Sequence, residues 1–177
     1  MKINTSITST KINQKKYLKY FSVLVLLTIF HSIFLEFIEI MDITPDLFII
    51  LAVWITVKEG RFIGLIAAFI IGLYIDAITA DVLGTNALAK TIAAFIASCF
   101  YKENNTSGIT KSMKFVLIVL LSVFVHNIIY TFFYIRLSEQ NFLVFYMKNG
   151  LMATVYTTFF AIFVILFQIP YNRIKIN

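Results

Sequence analysis

The sequence predicts an all-α, polytopic membrane protein: a bundle of six transmembrane helices with both termini in the cytoplasm. Of its 177 residues, 60% are hydrophobic and 14% are charged, whereas charged residues make up about a quarter of a typical soluble domain. Several apolar runs approach the roughly 20 residues that cross a bilayer as one helix. The basic residues gather before, between and after alternate runs, which is the distribution that sets orientation during membrane insertion.

Six helices are expected in order along the chain. They form a transmembrane domain over residues 17–171 and cover about residues 17–37, 47–57, 62–78, 83–100, 115–135 and 149–169. Thr44-Pro45-Asp46 marks the start of the second helix, because proline suits a first turn and threonine or aspartate can accept bonds from free amides. Pro170 ends the sixth helix, since proline lacks the amide that a further turn needs.

Polar segments flank this domain at both ends. Residues 1–16 are rich in Ser, Thr, Asn and Lys without an apolar period, and they are expected to form a flexible cytoplasmic arm. Their lysines and the apolar run that follows resemble the first two regions of a signal peptide. No small-residue cleavage site follows Phe34, so the first helix is expected to remain uncleaved. Residues 172–177 are expected to form a short cytoplasmic tail.

The loop charges predict the orientation of all six helices. The basic residues of one predicted side are Lys2, Lys11, Lys15, Lys16, Lys19, Lys58, Arg61, Lys102, Lys111, Lys114, Arg173 and Lys175. The other side holds Arg136 and Lys148 among mainly acidic residues. Because loops rich in lysine and arginine stay in the cytoplasm, the first side faces inward. This basic face favours anionic lipid headgroups or an acidic cytoplasmic partner, and the alternative is that its charges only set the topology. Their division among loops argues against nucleic-acid binding.

A row of small residues lies on the third predicted helix. Gly60, Gly64, Ala68, Gly72 and Asp76 recur every four residues. Such a row forms a shallow groove along which a neighbouring backbone can approach closely. We therefore expect Gly60, Gly64, Ala68 and Gly72 to pack against another helix of the chain or to contact a partner protein.

Polar residues at membrane depth form a second candidate site. Asp76, Asn86, Lys90 and His126 are expected to make an intramembrane polar network, because ionisable groups within a span are costly and are usually paired. A short hairpin joins the third and fourth helices, so we predict that Lys90 pairs with Asp76 or Asp81; the alternative is that Lys90 snorkels outward alone. For His126 a buried interhelical hydrogen bond is expected, with a proton relay or ligand site as the alternative.

The chain lacks the common catalytic motifs. It contains no GxSxG, HExxH, Walker or GxGxxG pattern, and its single cysteine, Cys99, suggests neither an internal disulfide nor a metal or cofactor site. Asp76 is the one carboxylate expected at membrane depth, and one carboxylate cannot divide acid and base roles. The sequence therefore argues against an enzyme. An intramembrane enzyme or proton-coupled carrier that uses His126, Asp76 and Lys90 stays as an alternative.

A series of short motifs runs through the central stretch. Its members are Pro45-Asp46-Leu47, Gly60-Arg61, Gly64, Ala68-Phe69, Gly72-Leu73, Asp76, Leu83-Gly84 and Asn86-Ala87-Leu88. This order resembles the pattern of the MreD family of rod shape-determining proteins. The chain's length and the predicted six-helix layout are also similar to the family's, so the resemblance covers nearly the whole chain. Lys90 departs from the family's pattern.

The resemblance implies a non-enzymatic subunit of the elongasome in the bacterial inner membrane, without a cofactor. Members of that family work with MreC, the cytoskeletal MreB, and the glycan polymerase and transpeptidase of lateral wall synthesis. The small-residue row is then a candidate contact for MreC. The family's membrane fold is also similar to the substrate-binding components of energy-coupling-factor vitamin transporters. The alternative function is therefore a transport component whose six helices hold a small molecule from the outer side.

Overall fold

The computed structural model describes residues 4–40, 43–79, 82–135 and 141–168, and within these ranges it consists of helices joined by short turns, with no β-strand. The helices are α1 (Asn4–Ile38), α2 (Leu47–Glu59), α3 (Arg61–Thr79), α4 (Thr85–Ser98), α5 (Thr106–Thr110), α6 (Met113–Ile135), α7 (Phe142–Phe145) and α8 (Leu151–Gln168). A π-helical turn, Tyr146–Gly150, joins α7 to α8. The chain divides into two units, of which the first contains α1 and the second, from Ile40 onward, contains the other helices.

The first helix, α1, begins at Asn4, ahead of residue 17, where the first membrane-spanning helix is predicted to start. No proline or glycine occurs between Asn4 and Ile38, so nothing in the sequence ends the helix within its lysine-rich part. The predicted arm over residues 1–16 is therefore helical from Asn4 onward. The part of α1 from Gln14 to Ile33 is long and apolar enough to cross a membrane.

Helix lengths distinguish two classes of helix in the chain. Among the described residues, four stretches are long and apolar enough to span a membrane: Gln14–Ile33, Arg61–Thr79, Met113–Ile135 and Phe142–Leu166. By contrast, α2 has 13 residues and α4 has 14, which corresponds to about 20 Å against a hydrocarbon core of roughly 30 Å. Six full spans with both termini in the cytoplasm stay a prediction.

The short helix α2 forms the centre of the second unit. It contacts α3, α4, α5, α6 and α8, and its residues are buried from Phe48 to Val53 and from Ile55 to Val57. A helix that is apolar all round is stable only where other helices cover every face. Its residues Ile49, Val53 and Val57 belong to the main apolar cluster of the protein.

The small residues of α3 lie between α2 and α4. A Cβ atom at Gly64 would come within 2.6 Å of the Thr56 Cα atom of α2, and one at Gly72 within 2.6 Å of the Ala87 backbone nitrogen of α4. Gly64, Ala68 and Gly72 are buried, so this face is occupied by other helices of the same chain. Gly60 ends α2 with φ +92°, a conformation that residues with a Cβ rarely adopt.

Some residues on which the predicted orientation depends lie outside the described residues. They are Lys2, Asp42, Asp81, Arg136, Glu139, Pro170, Arg173 and Lys175, together with the predicted tail over residues 172–177.

Candidate functional site

The centre of the candidate site is Asp46, the residue that caps α2. Its backbone has an extended conformation, and its Oδ1 atom accepts a hydrogen bond from the Ile49 amide at 3.0 Å. The buried Pro45 precedes it, and Leu47 is the first residue of the helix. The Asp46 amide donates to the Thr157 Oγ1 atom of α8 at 3.0 Å. One carboxylate oxygen is thus used for capping, and Oδ2 is left to face the helices around it.

Lys90 of α4 is the cation that Asp46 faces. The Lys90 Nζ atom lies 2.6 Å from Asp46 Oδ2, 2.9 Å from Asn86 Oδ1 and 3.4 Å from His126 Nε2. The side chain is 1% exposed. An ammonium group has three donors and no acceptor, so these three contacts use its full hydrogen-bonding capacity. The ion pair and the two further bonds offset the large cost of placing an ammonium group away from water.

The hydrogen-bond partners of His126 select one protonation form of its ring. Nε2 faces the Lys90 ammonium group, which can only donate, so Nε2 accepts and Nδ1 carries the proton. Nδ1 lies 3.1 Å from Asn127 Oδ1. The Asn127 Nδ2 atom in turn donates to the Gly150 carbonyl at 3.2 Å and to Thr154 Oγ1 at 2.8 Å. A continuous series of hydrogen bonds therefore runs from α2 through α4 and α6 to the π turn and α8.

Asp76 of α3 has a different role from the one predicted. Its carboxylate accepts hydrogen bonds from the backbone amides of Gly84 at 2.9 Å, Asn86 at 2.9 Å and Ala87 at 3.2 Å. Gly84, which precedes α4 with φ +100°, has no side chain to cap the helix, so Asp76 provides that cap from the neighbouring helix. The prediction that Lys90 pairs with Asp76 was wrong because these amides occupy the carboxylate, and Asp81 lies outside the described residues.

Of the predicted polar residues, the structure brings Lys90, Asn86 and His126 into contact and places Asp76 beside them. Asn86 links the two parts, because its backbone amide donates to Asp76 Oδ1 and its side-chain Oδ1 atom accepts from Lys90 Nζ. Among the described residues, Ser122 Oγ is the buried polar side-chain atom without a hydrogen-bond partner, and it is not part of this network. The arrangement is typical of an interhelical network in which every member is satisfied.

This geometry limits what the site can do chemically. Lys90 and His126 are buried and each faces protein partners, so neither has a free position toward a substrate. In the part of the chain that the structure describes, no group of three or more His, Cys, Asp or Glu residues is placed to hold a metal ion. The Asp46 side chain is 26% exposed, and it is the most accessible member of the ion pair.

Sequence reasoning missed Asp46 as the partner of Lys90, and it missed Asn127, Thr154 and Thr157 as members of the network. Asp46 was interpreted as a helix cap, which it also is. A usable signal was present in α8, where Thr154 and Thr157 are three residues apart and so share one face of the helix. Three-residue spacing of hydroxyls in an otherwise apolar span indicates a face that meets other polar groups.

Comparisons with known proteins identify the chain's relatives at the level of a family. A family model described as rod shape-determining protein MreD matches residues 14–170, a range that includes every member of the polar network. No curated protein and no solved structure matches the chain. The family match gives no support to the vitamin-transport alternative.

Proposed function

Since this chain belongs to the MreD family of rod shape-determining proteins, we propose that it is a non-enzymatic scaffold subunit of the bacterial cell-wall elongation complex. A role in rod shape determination follows from the family itself, and the long apolar helices fit a membrane protein. The finer proposal is that the chain lies in the inner membrane, binds MreC directly, and meets MreB and the wall-synthesis polymerase and transpeptidase directly or through MreC.

The observation that carries this proposal is the closed geometry of the polar network. An enzyme or carrier site needs a group with a free position toward a substrate, in a pocket that the substrate can enter. Lys90 and His126 instead direct their donors and acceptors at protein atoms of three helices, namely α4, α6 and the capping residue of α2. Such a network fixes how the helices pack, and this is what a scaffold requires.

The outer faces of the long helices supply the surface for partners. Large apolar side chains are exposed along α3 and α8, namely Phe62, Ile66, Phe69, Ile70, Met152, Val155, Phe159 and Phe163. These faces are suited to lipid chains or to the transmembrane helices of other subunits. Because the small-residue row of α3 is already covered by α2 and α4, we now place the MreC contact on such an exposed face.

Basic residues at the predicted cytoplasmic end support the proposed inward orientation. The Lys58 Nζ atom lies 4.3 Å from the centroid of the Trp54 ring, and Arg61 Cζ lies 4.4 Å from that of Phe95. Both cationic side chains are exposed and lie beside the tight turn at Gly60. Cations held over aromatic rings at a membrane surface are well placed to meet anionic lipid headgroups.

Depletion and co-purification together test the proposal. Depleting the protein in the bacterium that encodes it should turn rod-shaped cells round in microscopy, and re-expression should restore rods. A tagged chain should also retain MreC when native membranes are solubilised. Single variants Phe69→Ala on α3 and Phe159→Ala on α8 would then locate the contact, each serving as the control for the other. Depleted cells that remain rods, or a stable complex of MreC and the wall synthases without this chain, would contradict the proposal.

A further inference from the structure

The helical segment that includes α8 contains one turn that is wider than an α-helical turn. The residues from Tyr146 to Gly150 form a π turn between α7 and α8. Turns of this kind hold an extra residue within a continuous helix, and they often occur at functional sites. The Tyr146 side chain is buried and packs over Gly150, where an added Cβ would come within 2.6 Å of the Tyr146 Cε2 atom.

The exposure of Leu143 shows what this turn does to α7. Leu143 precedes Gly150 by seven residues, which is about two turns of a regular α-helix. In a regular helix the two residues would share one face, and Leu143 would be buried as Gly150 is. Leu143 is instead 62% exposed, whereas its neighbour Phe142 is half-buried. The π turn therefore rotates α7 by roughly one residue, or about 100°, relative to α8.

One side chain from another helix is bonded to this turn. Asn127 of α6 donates to the Gly150 carbonyl at 3.2 Å and to Thr154 Oγ1 at 2.8 Å, and Thr154 Oγ1 donates to the same carbonyl at 2.7 Å. Asn127 is itself oriented by the Nδ1–H group of His126. Its amide group thus has one oxygen that accepts from the imidazole and one nitrogen that donates to the π turn, which leaves it no freedom to rotate.

We propose that Asn127 is a positioning residue that holds the π turn at Tyr146–Gly150, so that the buried network of Asp46, Lys90 and His126 sets which face α7 presents to its surroundings. With the turn in place, α7 presents Leu143 and Val144, which are 62% and 67% exposed. Without the bond from Asn127, Gly150 is no longer held in place, and its amide can bond the Tyr146 carbonyl four residues back, as in a regular helix, instead of the Leu151 amide that bonds this carbonyl in the π turn. The segment from Phe142 to Phe145 then rotates by about 100°, and Leu143 turns inward.

Cysteine labelling measures this rotation. Leu143→Cys and Phe142→Cys are made one at a time in a Cys99→Ser chain, and N-ethylmaleimide labelling rates are compared in detergent micelles. In the parent chain we expect Leu143→Cys to react several-fold faster than Phe142→Cys. The isosteric change Asn127→Leu should reverse that ratio. Thr158→Val is the matched control, because Thr158 bonds the Thr154 carbonyl of its own helix and should leave the ratio unchanged.

Deleting one residue distinguishes an effect of Asn127→Leu on the π turn from an effect on the fold as a whole. Removing the exposed Met147 takes out the extra residue of the π turn, so a regular helix would then connect α7 and α8 with their present orientation. This shortened chain should fold and keep the parent's labelling ratio, with or without Asn127→Leu. A ratio unchanged by Asn127→Leu in the full-length chain would overturn the proposal. So would a reversal that persists after Met147 is deleted, or a shortened chain that does not fold.

Discussion

Asp46 and Asp76 both stabilise the start of a short helix, but they do so in different ways. Asp46 caps its own helix, α2, with one oxygen and binds the Lys90 ammonium group with the other. Asp76 lies on α3 and directs both oxygens at three backbone amides that begin α4. The Asp76 residue is 1% exposed, whereas the Asp46 side chain is 26% exposed. Among the described residues, the more deeply buried of these two carboxylates is thus the one that has no cation within ion-pair distance.

A buried carboxylate can therefore be stabilised either by a cation or by a helix N-terminus. The free amides of the first turn carry a partial positive charge and bind anions without any basic side chain. Lys90, by contrast, relies on Asp46, because an ammonium group in an apolar interior needs an anion and the Asp46 carboxylate lies 2.6 Å from its Nζ atom. Asp46 and Lys90 therefore depend on each other, while Asp76 depends on the position of α4.

Removing the Asp46 carboxylate should have the largest effect. Asp46→Ala leaves Lys90 buried without its anion, and breaking a buried pair in this way costs about 3–5 kcal/mol. The free energy of unfolding in detergent micelles measures the loss. Adding Lys90→Met should recover most of it, because replacing both members of a buried pair is often close to neutral. If the double variant is no more stable than Asp46→Ala, the two residues do not depend on each other.

Asp76→Ala should come next, and it should behave differently toward Lys90. The change leaves two buried amides and one part-buried amide at the start of α4 without their acceptor. An unsatisfied buried group costs about 1–3 kcal/mol, and the total should be less than the simple sum because α4 can shift. Lys90→Met should not rescue this variant, since Lys90 does not bind Asp76. The free energy of unfolding is measured for Asp76→Ala with and without Lys90→Met. Rescue by Lys90→Met would show that the two aspartates share one cation.

Gly72→Ala tests whether close helix packing positions Asp76. The added methyl group would meet the Ala87 backbone, and overpacking of this kind costs about 1–3 kcal/mol. Because the change pushes α4 away from α3, its effect should be less than additive with Asp76→Ala in a double-mutant cycle. Ala77→Val, which adds volume on the exposed face of α3, is the control and should be nearly neutral. If the losses of Gly72→Ala and Asp76→Ala add fully, the close packing at Gly72 does not position the Asp76 cap.

His126→Leu should have the smallest effect of the four. It removes one of the three acceptors of Lys90, across the helices, and the donor to Asn127 within α6, while the ion pair with Asp46 stays in place. Single interhelical hydrogen bonds in membrane proteins contribute about 0.6 kcal/mol on average, so we expect a loss near that value in the unfolding assay. A loss as large as that of Asp46→Ala would mean that His126, and not Asp46, is the main partner of Lys90.

Much of the fold could be predicted from local patterns in the sequence. The start of α2 is specified by Pro45 and Asp46, whose backbone preferences act within one turn. The start of α1 could not be found by looking for apolar residues, because residues 4–16 are polar yet contain no helix breaker. The π turn was also missed, since it depends on the Tyr146 ring packing over Gly150 and on a bond from Asn127, 23 residues away.

The candidate site could be predicted in its composition but not in its pairing. Charged and polar residues within apolar runs indicated Lys90, Asn86 and His126 because their burial is costly. Asp76 or Asp81, both near in sequence, was predicted as the partner of Lys90, whereas the carboxylate that lies beside it, that of Asp46, is 44 residues away. The partner of Lys90 is the carboxylate that the fold places beside α4. Asp46 lies there because α2, the helix that it caps, packs at the centre of the second unit.

The shortness of α2 also bears on how the chain is made. A segment of 13 residues is too short to be held across a bilayer by its own hydrophobicity. Gly60 folds α2 directly back along α3, and Gly64 lets the two backbones touch at Thr56. We therefore expect α2 and α3 to enter the membrane as one paired hairpin, so a nascent chain stopped before α3 emerges should fail to integrate α2.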